Sequence, residues 1–215
     1  MHEKVNISRE HREELRGTYA SQAGALKRKL DEYRAVPPER YFYELCYCLM
    51  TPQSSALQCN EVALELERRR FLDRPFDPAP LLRSWKGGYV RFHNTKAKRL
   101  LEARDAYPSI AAMLTEDIED RKLRNIFAAD IRGIGMKEAS HFLRNIGRTR
   151  VTIVDRHILR NLVRLGILSA WPKSISQRRY LEIEEAFEHL ADILGIPVDE
   201  LDLLLWSRET GFLLK

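Results

Sequence analysis

The sequence predicts an all-α protein, and three observations carry that reading. Apolar residues recur at helical spacing in nearly every periodic segment, no stretch keeps the alternation and turn spacing of a β-sheet protein, and proline and glycine divide the chain into about ten helical lengths. A chain of 215 residues with 44% hydrophobic content buries a sizeable core and fits one large or two small domains. It holds no repeat of solenoid period and no low-complexity tract.

The first helix is expected over 8–33, before a break at Pro37 and Pro38. Helices over 39–50 and 54–69 follow. Within the first of these, YFYELCYCLM at 41–50 is apolar almost all round, so it should run through the middle of a domain until Thr51-Pro52 stops it. Pro75, Pro78 and Pro80 mark a loop. Shorter helices are expected over 79–85, 94–105, 110–113 and 118–127, then over 137–144 and 156–165, and finally in two C-terminal lengths. In LEIEEAFEHLADIL, the residues Leu181, Ala186, Phe187, Leu190 and Leu194 share one face, mostly opposite Glu182, Glu184, Glu185 and Glu188. This pattern predicts a surface helix packed on a core.

The charge balance is +5, with pI about 9.1, which suits a polyanionic partner. Between positions 139 and 180 lie Arg144, Arg148, Arg150, Arg156, Arg160, Arg164, Lys173, Arg178 and Arg179 against the single acid Asp155. That local balance of +8 leaves the rest of the chain acidic; an ordinary solvated basic surface and a nucleic-acid face both fit it. The three cysteines, Cys46, Cys48 and Cys59, are odd in number and sit in an apolar region, as reduced core residues do. No charged-then-apolar leader opens the chain and no apolar run is long enough for a bilayer, which predicts a cytoplasmic protein.

The most specific pattern is IRGIGMKEASHFLRNIGRTRVTIVDRHI at 131–158. Gly133 and Gly135 are expected to hold a tight turn in backbone conformations closed to other residues, with Lys137 at the start of the next helix. Such a turn presents unpaired N–H groups at a helix N-terminus, where a phosphate binds, and fixes an amine beside it. An amine given desolvation or neighbouring positive charge is a nucleophile; attack on the anomeric carbon of a nucleotide displaces the base and forms a Schiff base, from which the 3′ phosphate can be eliminated. The same lysine also suits a plain phosphate contact. Asp155 stands where an N-cap belongs before RHILRNLVRLG. A carboxylate there can also stabilise positive charge on a sugar as the base departs, and the two roles are compatible.

With its hairpin, lysine and aspartate in this order, the chain resembles the helix-hairpin-helix DNA glycosylases. TPQSSA at 51–56 is similar to that superfamily's loop after the first barrel helix, and VRFHNTKAKRLLEA at 90–103 to its Asn-x-Lys-Ala helix. The short length and the ending WSRETGFLLK most resemble the second, archaeal-type class of 8-oxoguanine glycosylases. The resemblance implies a bifunctional 8-oxoguanine glycosylase and abasic-site lyase with Lys137 and Asp155 as catalytic residues. It implies a two-domain helix-hairpin-helix glycosylase fold: a six-helix barrel over 37–154 with the hairpin at about 123–145, and a discontinuous helical domain of 1–36 and 155–215. Lys137 and Asp155 are expected in the cleft between them.

Further roles follow from the resemblance. Gln53 enters the space vacated by an extruded nucleotide, while Arg132, Gly133, Gly135 and Arg156 contact DNA. Trp206, Lys215 and His93 read the oxidised base. Na⁺ or K⁺ binds the hairpin carbonyls of Ile131, Ile134 and Met136; no other cofactor is required. The partner is duplex DNA carrying 8-oxoguanine or an abasic site, with no membrane, and the enzyme is a monomer. Each residue has a plainer alternative: loop residue for Gln53, core for Trp206, surface for His93, disordered terminus for Lys215. Two rival activities remain, an oxidised-pyrimidine glycosylase of the endonuclease III kind and a non-enzymatic DNA-binding module. The four-cysteine iron–sulfur cluster usual in endonuclease III is excluded by a chain with three cysteines.

Overall fold

The computed structural model describes residues 7–211. Ten α-helices order them: α1 (Arg9–Arg34), α2 (Tyr41–Met50), α3 (Ala56–Arg68), α4 (Ala79–Arg83), α5 (His93–Thr115), α6 (Asp120–Asp130), α7 (Met136–Asn145), α8 (Arg156–Arg164), α9 (Gln177–Leu194) and α10 (Val198–Thr210). A 3-10 turn at Pro38–Arg40 leads into α2. Among the described residues the only extended pairing is an isolated bridge between Trp85 and Gly88. The chain divides into two compact units, one of residues 35–148 and one joining the segment before residue 35 to that after 148.

In the unit of 35–148, α2 is the core helix. Every residue from Phe42 to Met50 is buried, and α3, α5 and α7 pack against it, as its all-round apolar sequence predicts. Its single acid, Glu44, is buried and accepts a hydrogen bond from Asn145 Nδ2 at 3.1 Å. Cys46, Cys48 and Cys59 are free and buried. Burial pushes all three thiols up, that of Cys59 to about 12, so they behave as core side chains rather than as ligands or nucleophiles.

The sequence predicts separate helices over 94–105 and 110–113, but α5 spans both and runs through Pro108. Proline inside a helix removes one backbone hydrogen bond and crowds the preceding turn, at a cost of about 3 kcal/mol. Packing on both sides offsets this: Tyr107 meets Phe42 edge to face at 5.0 Å, and Leu100, Ala103 and Ile110 are buried.

In the other unit, α10 packs on α1, α8 and α9. Arg16 donates to the carbonyls of Leu194 (2.9 Å) and Ile193 (3.1 Å) at the C-terminus of α9, where a cation complements the helix dipole. Tyr19 donates to Glu200 at 2.7 Å. The predicted face of α9 is shifted: Leu181 is 39% exposed while Glu184 is 2% exposed. The buried face comprises Tyr180, Ile183, Glu184, Phe187, Leu190, Ala191 and Leu194, because Glu184 has a buried backbone amide to satisfy. That amide belongs to Thr152, and it also explains why 149–154 groups with this unit rather than ending the other one.

Candidate active site

Lys137 is placed by the turn between α6 and α7. The Ile134 N–H donates to the Ile131 carbonyl at 3.1 Å, and Phe127 and Phe142 bring the two helices together with ring centroids 5.9 Å apart. Gly133 has φ +93°, and a Cβ there would stand 3.0 Å from Arg99 Cγ and 3.3 Å from Leu49 Cδ2. Glycine is therefore favoured by the backbone conformation, and a Cβ would require Arg99 and Leu49 to shift slightly. Gly135 differs from expectation: its φ of −106° and ψ of −173° are extended values open to any residue. It lacks a side-chain cap, so the first-turn N–H groups of α7 are available to an anion. Lys137 sits in this turn with its side chain 31% exposed, and Nζ pairs with Glu138 Oε1 at 2.9 Å.

Asp155 is placed by a different device. It is the N-cap of α8, and Oδ1 accepts from the N–H groups of His157 (2.8 Å) and Ile158 (2.9 Å). Among the described residues Oδ2 has no hydrogen-bond donor. The preceding Val151, Thr152, Ile153 and Val154 are buried outside any helix, where unpaired backbone groups would be expensive. Long-range side chains pair three of the N–H groups: Thr152 N–H donates to Glu184 (3.0 Å), Ile153 N–H to Asp202 (3.1 Å) and Val154 N–H to the Tyr180 hydroxyl (3.1 Å). The Tyr180 hydroxyl in turn donates to the Thr152 carbonyl at 2.6 Å. These buried acids carry no distinguishing mark in the sequence.

Gln53 is exposed and has φ +56°. Its loop is held from below by Lys96, which lies 6% exposed in α5. Its Nζ donates to Met50 O (2.6 Å), Pro52 O (2.6 Å) and Ser54 Oγ (3.0 Å). No role for Lys96 was legible beyond its motif. His93 opens α5 half-buried, behind Phe92 in left-handed conformation and 56% exposed. Arg132 is exposed and lies 3.5 Å from Glu102; Arg156 is exposed and its Nε donates to His157 Nε2 at 3.2 Å.

Trp206, on α10, is half-buried and meets the His157 ring edge to face at 6.4 Å. Burial, followed by the charges of Arg156 and Arg160 acting against Asp155 and Glu209, holds His157 below its ordinary value. Lys215 lies outside the described residues. The arginine-rich stretch is less open than its count predicts. Arg148 pairs with Asp120, Arg160 and Arg164 with Glu209, Arg178 and Arg179 with Glu182, and Arg144 is buried.

One unit offers an amine beside a backbone anion cradle, and the other a carboxylate that caps α8. A model of the 8-oxoguanine DNA glycosylase family matches residues 26–196. The chain belongs to that family. Among relatives named 8-oxoguanine DNA glycosylase/AP lyase, that of Fusobacterium nucleatum is 34% identical over 96% of this chain and 98% of its own. The Korarchaeum cryptofilum relative is 38% identical over 88% and 90%. The Methanocaldococcus jannaschii 8-oxoguanine glycosylase/lyase, in complex with a 15-mer DNA containing 8-oxoguanine, is 30% identical with a TM-score of 0.81, covering 94% of this chain and 99% of that one. The Thermotoga maritima enzyme is 27% identical with a TM-score of 0.84, covering 96% and 99%. The all-helical fold is thus that of the glycosylase family. Among the described residues no three His, Cys, Asp or Glu side chains gather where they could hold a metal, and no helix is long and apolar enough to cross a membrane.

Proposed function

We propose that this chain excises 8-oxoguanine from duplex DNA and cleaves the resulting abasic site. The observation that carries the reading is Lys137, a partly exposed amine in the first turn after the Gly133 hairpin, in a family whose members bear the double name glycosylase/AP lyase. Both halves of that name need an amine. The Nζ lone pair bonds to C1′ as the C1′–N9 bond breaks and its electron pair leaves with the base. Loss of a proton from nitrogen and opening of the sugar ring give an imine. Removal of a C2′ proton then expels the 3′ phosphate, and water releases Lys137. The ion pair with Glu138 has to break before the attack. The Asp155 carboxylate stabilises positive charge developing on the same sugar.

The unit of 35–148 is the six-helix barrel and carries the hairpin, whose Gly133, Gly135 and Arg132 bind the DNA backbone with Arg156. Gln53 enters the duplex as the damaged nucleotide is extruded, a step costing a few kcal/mol. Trp206 stacks on the base, with Lys215 and His93 completing recognition. The carbonyls of Ile131, Ile134 and Met136 are hard neutral donors that suit Na⁺ or K⁺ rather than a transition metal. The enzyme acts as a cytoplasmic monomer.

Competing excision assays on 8-oxoguanine and thymine glycol duplexes test the substrate; preference for thymine glycol would favour an endonuclease III-like activity. Borohydride trapping tests the chemistry. We expect a covalent adduct with the wild-type chain and none with Lys137→Gln, and survival of the adduct in that variant would sink the mechanism. Deleting Lys215 should weaken 8-oxoguanine excision more than cleavage of a preformed abasic site; equal losses would remove its role in base reading.

A further inference from the structure

We propose that Lys96 is a positioning residue for duplex opening, its ammonium fixing the 50–54 loop so that Gln53 is presented outward for entry into the DNA. The inference rests on the reading of Gln53 given above. The ammonium uses its three donors on alternate residues of one loop, Met50, Pro52 and Ser54, which bracket Gln53. Gln53 itself has φ +56°, a conformation disfavoured for a residue with a Cβ, so the loop needs restraint on either side. Ser54 Oγ also accepts from the Arg91 N–H at 3.0 Å, tying the loop to the segment before α5. Thr51 adds a bond from its hydroxyl to the Cys48 carbonyl at 2.9 Å.

A buried cation is an expensive anchor, and among the described residues no carboxylate lies in salt-bridge range of Lys96. An apolar side chain would fill the site at lower cost, but it would leave the Met50 and Pro52 carbonyls without this donor and tie Ser54 to the Arg91 N–H alone. The groups facing the ammonium are Cys59 of α3, Lys137 and Glu138 of α7, and Arg91. Burial first, then the charges of Lys137 and Arg91, bring Lys96 down to about 8, with Cys59 and Glu138 opposing. Deprotonation removes one donor from three acceptors, so the loop should loosen as pH rises through this value. The fold should not weaken with it. A group whose value is lower in the folded chain than its ordinary 10.5 leaves the unfolded chain holding more protons in between, and stability from this group rises with pH there.

The test compares base release from an 8-oxoguanine duplex with borohydride trapping at a preformed abasic site, both of which use Lys137. For Lys96→Met we expect base release to fall about tenfold or more, by analogy with small misplacements near reacting groups, and trapping to change by less than about threefold. In the wild-type chain the ratio of the two rates should fall between about pH 7 and 9 while the melting temperature holds. That measurement keeps the inference open to refutation even if Lys96→Met fails to fold. Added to Gln53→Ala, Lys96→Met should slow base release little further. Equal loss on both substrates, no loss, a full additional loss in the double variant, or a pH-independent ratio would overturn the clamp. Fluorescence of 2-aminopurine opposite a stable abasic analogue reads entry of the loop without base release. A chain that never excised 8-oxoguanine yet lost this signal on Lys96→Met would refute the proposed substrate and support the clamp.

Discussion

The two proposed catalytic residues are held by opposite means. Lys137 owes its place to neighbours in sequence: the Gly133 turn, the Ile134 to Ile131 hydrogen bond and the pairing of consecutive helices α6 and α7. Asp155 follows a buried stretch in which the N–H groups of Thr152, Ile153 and Val154 are satisfied by Glu184, Asp202 and Tyr180, side chains 26 to 49 positions away. A turn can be encoded locally because glycine's freedom is a property of one residue. A buried non-helical segment cannot, because its N–H groups need acceptors that only tertiary packing supplies. Each N–H left unpaired would cost about 1–3 kcal/mol, so the approach to Asp155 has more stability at stake per side chain than the hairpin does.

Four substitutions test this contrast. The largest effect is expected at the carboxylate: Asp155→Asn keeps a competent N-cap but should slow base release by about 10²–10³-fold, the usual scale for a lost electrostatic stabiliser. Duplex binding should be largely retained, and unchanged rates would reduce Asp155 to a cap. Next comes Tyr180→Phe, which removes the acceptor for Val154 and the donor to Thr152; about 1–3 kcal/mol of stability should be lost. Hydrogen exchange at residues 152–154 should quicken with duplex affinity intact. Gly133→Ala should cost about 1–2 kcal/mol, the penalty of a left-handed turn for a residue with a Cβ. Here duplex affinity should suffer while the 152–154 amides stay protected. Should these two variants disturb the same readout, the regions are not independently held. Leu181→Ala, at an exposed position of α9, should stay within about 0.5 kcal/mol, and a larger loss in a denaturant titration would restore it to the core.

What was legible follows the same division. The core helix α2 could be read because it is apolar on every side, and the α8 cap because aspartate before a helical run has a local mechanism. The α9 face was misassigned because periodicity treats every glutamate as solvent-facing, whereas Glu184 is drawn inward by the Thr152 amide. The break expected between 105 and 110 is absent because aromatic packing of Tyr107 on Phe42 outweighs the local penalty of Pro108. Five arginines of the basic stretch are engaged by carboxylates from Asp120, Glu182 and Glu209, pairings that a count of charges does not contain.

The all-helical class, the hairpin with its lysine, the capped aspartate and the family are all encoded in residue types at short, regular spacing. Which polar groups are buried, and what they hold, depends on long-range packing. Glu184, Asp202 and Tyr180 support the segment leading to Asp155, and Lys96 supports the loop of Gln53. The physical reason is that a buried donor or acceptor is defined by its partner, and these partners meet across tens of residues of chain that no local pattern spans.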